Sequence, residues 1–438
     1  MPTVAPFAPM DRRAMLRTGA LLGTGAALSA WPLGSALAQG GADWPSVDGF
    51  MRALVERRAV SGMVAMLGWR QDAPTAIAYG RNSFTTTTAS DRDTLYRIYS
   101  MTKPVTGMAA MMLVDEGRIA LDQPIADFLP AFARMEVQKR YDGPLTPDNL
   151  EPAVRPITLR HLLTHTAGLG YGIVQEGPLS DAYREQGLVP GEVTRLEQSG
   201  MFRGTPAPSL EIFADRLARM PLVYQPGTRW SYSVGLDLTG RLIEVVAGQA
   251  FDAFLKQRIF EPCGMDSTWF RVPESEVGRF TANYVVLNGT VLPIDLAEDS
   301  VYLDQPAFPF GGAGLVSSPR DYDRFLMMLV GLGAIEGRRV MSEAAVRLAT
   351  SNLFPETLSP EDPFARNYGF GAGGRVGKGA EEGVFGWFGA AGTCGLVDMR
   401  NGLRHSLYTQ FMPADAYPVQ TEFPVAVAQD KAAILARR

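Results

Sequence analysis

The chain has 438 residues, 46% of them hydrophobic and 20% charged, with a formal net charge of −5. That length supports a large core in one big domain or two lobes, and the composition excludes a disordered or mainly membrane-embedded protein. The mildly acidic balance, with no basic block, argues against nucleic acid or an anionic membrane surface as a partner.

Residues 1–38 read as an export signal. Arg12-Arg13 and Arg17 precede a Gly- and Ala-rich apolar stretch, and Ala36-Leu37-Ala38 offers small residues for cleavage. The arginine pair fits a twin-arginine signal, so an exported protein, periplasmic or secreted, is expected. Glycines and Pro32 interrupt the short apolar stretch, which disfavours a permanent membrane anchor. The mature part, 39–438, then carries a charge of −7 and no stable membrane span is expected in it.

Next in order, helical periodicity at 47–58 leads to apolar runs at 63–69, 75–79 and 94–99, separated by turn residues, which read as strands. Residues 101–114 read as a buried helix, with Val105, Met108, Ala109, Met112 and Leu113 at helical spacing and Gly117 as its stop. Pro104 fits the first turn, where an N–H would have no intrahelical partner. From about 118 to 300 the chain is proline-rich and mostly helix and loop, with the clearest helices at 157–163 and 238–246. Strand signals return at 395–399 and 403–411, joined by Asn401-Gly402, a hairpin turn signal. The tail, 424–438, reads as an amphipathic helix. Strands near both ends predict an α/β fold of the α+β type, an antiparallel sheet flanked by helices. Its sheet lobe would be assembled from 45–117 and 310–438, with a mainly helical lobe, 118–309, inserted.

Ser100-Met101-Thr102-Lys103 is the most informative tetrapeptide. With 21 serines and only five lysines, chance supplies about a quarter of one S-x-x-K match, so the spacing carries weight. A lysine ammonium can give up its proton when desolvated, whereas a guanidinium cannot. At i and i+3 on a helix, the hydroxyl and the amine share one face. Taken alone, the tetrapeptide is equally a polar first turn on a core helix. Two later segments change the balance. Pro226-Gly227 opens a loop that carries Tyr232, whose hydroxyl can face a cleft. Gly386-Trp387-Phe388-Gly389-Ala390 precedes the last hairpin, where small residues let a substrate approach the strand backbone and its N–H donors.

Together these segments resemble the serine beta-lactamase and penicillin-binding-protein superfamily, nearest the class C beta-lactamases and the family VIII carboxylesterases. Residues 159–169 and Gly311-Gly312-Ala313-Gly314-Leu315 look like further family segments. The resemblance implies that Ser100 is the acylated nucleophile and that Lys103 and Tyr232 form the proton-transfer pair. It also implies an oxyanion hole made of the backbone N–H groups of Ser100 and Ala390. Trp387-Phe388-Gly389 stands where the family has K-T-G, and Val234 where it has the asparagine of Y-x-N. Losing a charge-assisted hydrogen bond typically costs about 1.5–3 kcal/mol, so neutral, apolar esters are expected over beta-lactams. Trp387, Phe388, Gly389, Val234 and Tyr171 are the expected substrate-contacting residues.

The expected activity is a serine hydrolase cleaving small-molecule esters or amides, without cofactor or metal. The alternatives are a beta-lactamase or D,D-peptidase, an acyltransferase working through the same acyl-enzyme, and a non-catalytic sensor. Retention of Ser100, Lys103 and Tyr232 together speaks against the sensor. No G-x-S-x-G elbow occurs, which argues against an α/β-hydrolase triad. His161 and His165 are spaced i, i+4 but lack the intervening glutamate of H-E-x-x-H, and read as structural histidines at a helix end. Cys263 and Cys394 lie far apart and read as buried thiols, with their pairing left open.

Overall fold

The computed structural model describes residues 43–196 and 204–437, so the expected export signal lies outside the described residues. A seven-stranded antiparallel sheet forms the centre: β1 (Gly62–Trp69), β2 (Thr75–Gly80), β3 (Gly369–Phe370), β4 (Arg375–Val376), β5 (Val384–Phe388), β6 (Cys394–Asp398) and β7 (Leu403–Tyr408). Their order is β3-β4-β5-β6-β7-β1-β2. The two ends of the chain therefore meet inside one sheet, where Val64 faces Tyr408 and Trp69 faces Leu403. Five helices frame the sheet and the site: α1 (Pro45–Glu56), α2 (Thr102–Asp115), α3 (Gly235–Ala247), α4 (Pro319–Val330) and α5 (Val419–Leu435).

The near-continuous apolar run of β1 follows from burial on both faces. On one face Ala65, Leu67, Leu396 and Leu407 pack with Val47 and Met51 of α1 and Phe423 of α5. On the other, Val64, Met66 and Val397 join a larger core with α2, α3 and α4. Thus the expected α+β architecture is present. No helix among the described residues is long and apolar enough to cross a membrane.

Three elements differ from the sequence reading. The strand expected at 94–99 is only Tyr96–Arg97, paired with Val316–Ser317, because the chain then turns sharply into the 3₁₀ segment Tyr99–Met101. The last helix starts at Val419 and contains Pro424; the fully buried Val419 and Phe423 hold its first turns by packing despite the lost hydrogen bond. A hairpin, Asn283–Leu287 with Thr290–Asp295, lies in the stretch read as helix and loop. Its signal was in the sequence: Asn288 and Gly289 sit at φ 50° and 79°, the two positive values a two-residue type I′ turn requires. Cys263 and Cys394 are both free and buried, and burial pushes the Cys263 thiol up to about 12.

His405 on β7 is 5% exposed, and its Nδ1 has no hydrogen-bond partner among the described residues. Burial above all, with Lys431 and Arg375 nearby, pushes it down to about 3 against the opposing charge of Asp398. Between its ordinary value of 6.5 and about 3, the unfolded chain binds a proton that the native state refuses. Stability is therefore lost as pH falls through that window, by about 1.4 kcal/mol per unit from this group. We expect His405→Phe to lose about 2 kcal/mol less than the wild type between pH 7.5 and pH 5. Urea unfolding at the two pH values measures the difference, and equal losses would remove His405 from the acid sensitivity.

Candidate active site

Ser100 sits in the middle of the 3₁₀ turn that feeds α2. The residue before it, Tyr99, is held at φ 41°, an unusual conformation for a side chain of this size. The Tyr99 hydroxyl accepts a hydrogen bond from Asn283 Nδ2 at 3.0 Å, which ties the turn to the unforeseen hairpin. At the second position of α2, Lys103 is fully buried, and its Nζ donates to Ser100 Oγ at 3.2 Å and to the Gly312 carbonyl at 2.7 Å. The i, i+3 spacing thus does what helix geometry requires.

Tyr232 arrives from the loop before α3. Its hydroxyl donates to Ser100 Oγ at 2.9 Å and accepts from the Trp387 indole N–H at 3.1 Å. Lys103 Nζ lies 4.6 Å from the centre of the Tyr232 ring, a cation–π distance. The serine oxygen therefore has an amine and a phenol within hydrogen-bond reach, both almost dry. Tyr171 packs edge-on against Tyr232, with 5.3 Å between centroids, and burial holds its phenol well above the usual range, so it stays neutral.

Sequence reasoning missed Asp237 and gave His165 only a general structural role. Asp237, in the first turn of α3, accepts the Gly312 N–H at 2.8 Å, and Gly312 in turn accepts from Lys103. A Cβ on Gly312 would stand 2.7 Å from Asp237 Oδ2, so glycine lets the carboxylate lie against the backbone. Burial pushes Asp237 up to about 6, opposed by the Lys103 charge and the Gly312 N–H. Its position three residues after Val234, on the buried face of a helix, was the available signal. His165, at φ 55°, accepts the Ser233 N–H at Nδ1, which also lies 3.0 Å from Ser233 Oγ, and its ring lies tilted 4.7 Å from that of Tyr232. Burial first and Lys103 second hold it well below its usual range, so it braces the tyrosine as a neutral ring. His161 instead closes the capping box of the helix Leu159–Leu163 with Thr158.

The remaining expected residues divide into two groups. Trp387 and Phe388 end β5 and line a cavity of about 530 Å³ with Trp230, Phe364 and residues of α5. Gly389 follows, and a Cβ there would fall 2.5 Å from the Ile98 carbonyl, so glycine lets the strand end approach the Ser100 turn. The next N–H, on half-buried Ala390, has no acceptor among the described residues, whereas that of Gly389 is bonded to Thr393. Val234 and Tyr171, by contrast, are buried core residues and lie outside the lining of that cavity. Among the described residues no group of His, Cys, Asp and Glu is arranged to hold a metal ion.

Comparison with known proteins places this geometry in context. The protein-family model described as Beta-lactamase matches residues 47–428. Protein Rv1367c of Mycobacterium tuberculosis is 33% identical over 363 residues, covering 80% of this chain and 85% of that protein. Esterase EstB of Burkholderia gladioli is 31% identical over 293 residues, covering 63% of this chain and 67% of that protein. Among solved structures, EstCE1, described as a hydrolase with promiscuous acyltransferase activity, has a TM-score of 0.70 at 23% identity, covering 88% of this chain and 98% of its own. Matched over most of its length and built around a buried serine, lysine and tyrosine, the chain belongs to the beta-lactamase family and is an enzyme of the serine-hydrolase type.

Proposed function

We propose that the protein hydrolyses carboxylic esters through an acyl-enzyme on Ser100. The observation that carries this reading is the convergence of Lys103 Nζ and Tyr232 hydroxyl on Ser100 Oγ, at 3.2 and 2.9 Å. Ser100 Oγ attacks the ester carbonyl while its proton passes to the Lys103–Tyr232 pair, which accepts it in the form that carries one proton fewer. Backbone N–H groups of Ser100 and Ala390 hold the developing oxyanion, an effect commonly worth about 2.7–4 kcal/mol per donor. The pair then protonates the leaving alcohol, and water activated by the same pair releases the acid. Trp387 supports esters over beta-lactams: it brings no positive charge for a ligand carboxylate, and its N–H is engaged by Tyr232. The similarity to an esterase at 31% identity points the same way.

Mass spectrometry of the mature protein after mixing with p-nitrophenyl acetate is expected to reveal an acetyl adduct that disappears in Ser100→Ala. A cephalosporin is expected to be turned over slowly or not at all. Fast cephalosporin hydrolysis would move the assignment to a beta-lactamase, and an adduct persisting in Ser100→Ala would remove the serine from its role. We also propose export through the twin-arginine segment; retention of the full-length chain in the cytoplasmic fraction would refute it.

A further inference from the structure

The first turn of α5 reaches back onto the strand end that follows Trp387. Val419 and Phe423 are fully buried and pack with Phe388 and Cys394, which face each other at the ends of β5 and β6, so the start of the helix is fixed against that hairpin. Gln420, half-buried in the same turn, lays its side-chain amide on the loop between the two strands. Its Nε2 donates to the Gly389 carbonyl at 2.7 Å and to the Thr393 carbonyl at 3.1 Å, using both hydrogens of one amide nitrogen. The Thr393 carbonyl also accepts the Gly389 N–H at 2.9 Å. Without Gln420, the Gly389 carbonyl keeps among the described residues only the Gly392 N–H, at 3.2 Å.

The Gly389 carbonyl is the other half of the peptide that carries the Ala390 N–H. Such a unit is planar, and in its trans form the oxygen and the hydrogen point in opposite directions, so fixing one fixes the other. A hydrogen bond to the carbonyl also polarises the amide and makes its N–H a stronger donor. This peptide has particular need of an outside hold. A Cβ at Gly389 would fall 2.5 Å from the carbonyl of Ile98, two residues before Ser100, so the close approach to the serine turn requires glycine. Glycine is also the residue whose backbone rotates most freely.

We propose that Gln420 is a positioning residue: by clamping the Gly389 carbonyl it aims and polarises the Ala390 N–H for the oxyanion that forms on the substrate. This inference rests on the ester-hydrolase reading, in which that N–H is an oxyanion donor. The ground-state carbonyl carries less charge than the tetrahedral state, so the clamp acts on turnover far more than on binding of the ester.

Gln420→Met keeps the length of the side chain and removes both donors. With p-nitrophenyl acetate its kcat is expected to fall about tenfold at nearly unchanged KM, because acylation and deacylation both pass through the oxyanion. That loss is smaller than the roughly 10²–10³-fold typical of deleting a donor outright, since the Ala390 N–H is still present. Hexyl trifluoromethyl ketone, whose carbonyl carbon takes up Ser100 Oγ to give a tetrahedral oxyanion, is expected to inhibit the variant about tenfold more weakly. Gln420→Lys returns N–H donors on a flexible stem and is expected to bring kcat and inhibition back to within about threefold of the wild type. Glu422→Met, at an exposed position of the same turn that touches neither carbonyl, serves as the control and keeps the wild-type kinetics. A merely structural clamp would lower the thermal midpoint of Gln420→Met and leave kcat and ketone inhibition unchanged, and that result would overturn the proposal. Gln420→Lys as slow as Gln420→Met would overturn it as well. If the wild type does not turn over the ester, the ester-hydrolase reading fails by itself. Fluorine NMR of the ketone adduct then still reads the site: a weaker adduct in Gln420→Met supports the positioning role, and equal adducts, or none in the wild type, refute it.

Discussion

Replacing Tyr232 with Phe is expected to lower ester kcat by about 10³-fold, within the range typical for removing a positioned acid–base group. The hydroxyl is the only part removed, and it touches Ser100 Oγ at 2.9 Å and the Trp387 N–H at 3.1 Å. The ring contacts with His165, Tyr171 and Trp387 remain, so the packing of the loop is preserved. Taking the acceptor from the buried Trp387 N–H costs about 1–3 kcal/mol of stability, which a chain of this size tolerates. The measurements are steady-state kinetics with p-nitrophenyl acetate alongside thermal unfolding. A folded variant with near-normal kcat would remove Tyr232 from the proton-transfer pair, whereas a loss confined to KM would recast it as a binding group.

The second large effect concerns the support beneath the nucleophile. Three residues before Ser100, Arg97 is fully buried; its Nε donates to Asp295 at 2.8 Å, and its other nitrogens reach the Thr281 carbonyl at 2.7 Å and Ser300 Oγ at 3.0 Å. Its guanidinium lies 4.0 Å from the centre of the Phe280 ring. Asp295 is the last residue of the missed hairpin, so this pair fastens that hairpin to the strand leading into the serine turn. Arg97→Met leaves Asp295 buried without its cation, which typically costs about 3–5 kcal/mol. Denaturant unfolding is expected to register that loss. Arg97→Met with Asp295→Leu removes both charges and is expected to recover much of it, because an uncompensated buried charge, rather than the pair itself, dominates the cost. A double variant no more stable than the single one would show that the hydrogen bonds to Thr281 and Ser300 carry the effect instead.

Much of this was legible in the sequence wherever the determining residues are close together along the chain. The buried period of α2, the apolar run of β1 and the turn at Asn401-Gly402 each depend on neighbours within a few residues. The same local signal at Asn288-Gly289 was present and went unread, since the surrounding proline-rich stretch masked it. Pro424 shows the opposite failure, a local helix breaker overridden by the burial of Val419 and Phe423.

By itself the sequence determined that Ser100 and Lys103 share one helix face, that Tyr232 lies in a loop opening onto a helix, and that Trp387 occupies a strand end. Backbone periodicity and turn chemistry suffice for each of these. Only the tertiary structure decided that Tyr232, 132 residues from Ser100, meets it, and that Trp387, 155 residues from Tyr232, donates to its hydroxyl. It alone set the Gly312 carbonyl on Lys103, raised the buried Asp237 beneath it, and closed an aromatic cavity from four separated segments. Such contacts depend on how the whole core excludes water and packs, and that exclusion is a property of the assembled surfaces rather than of any stretch of chain.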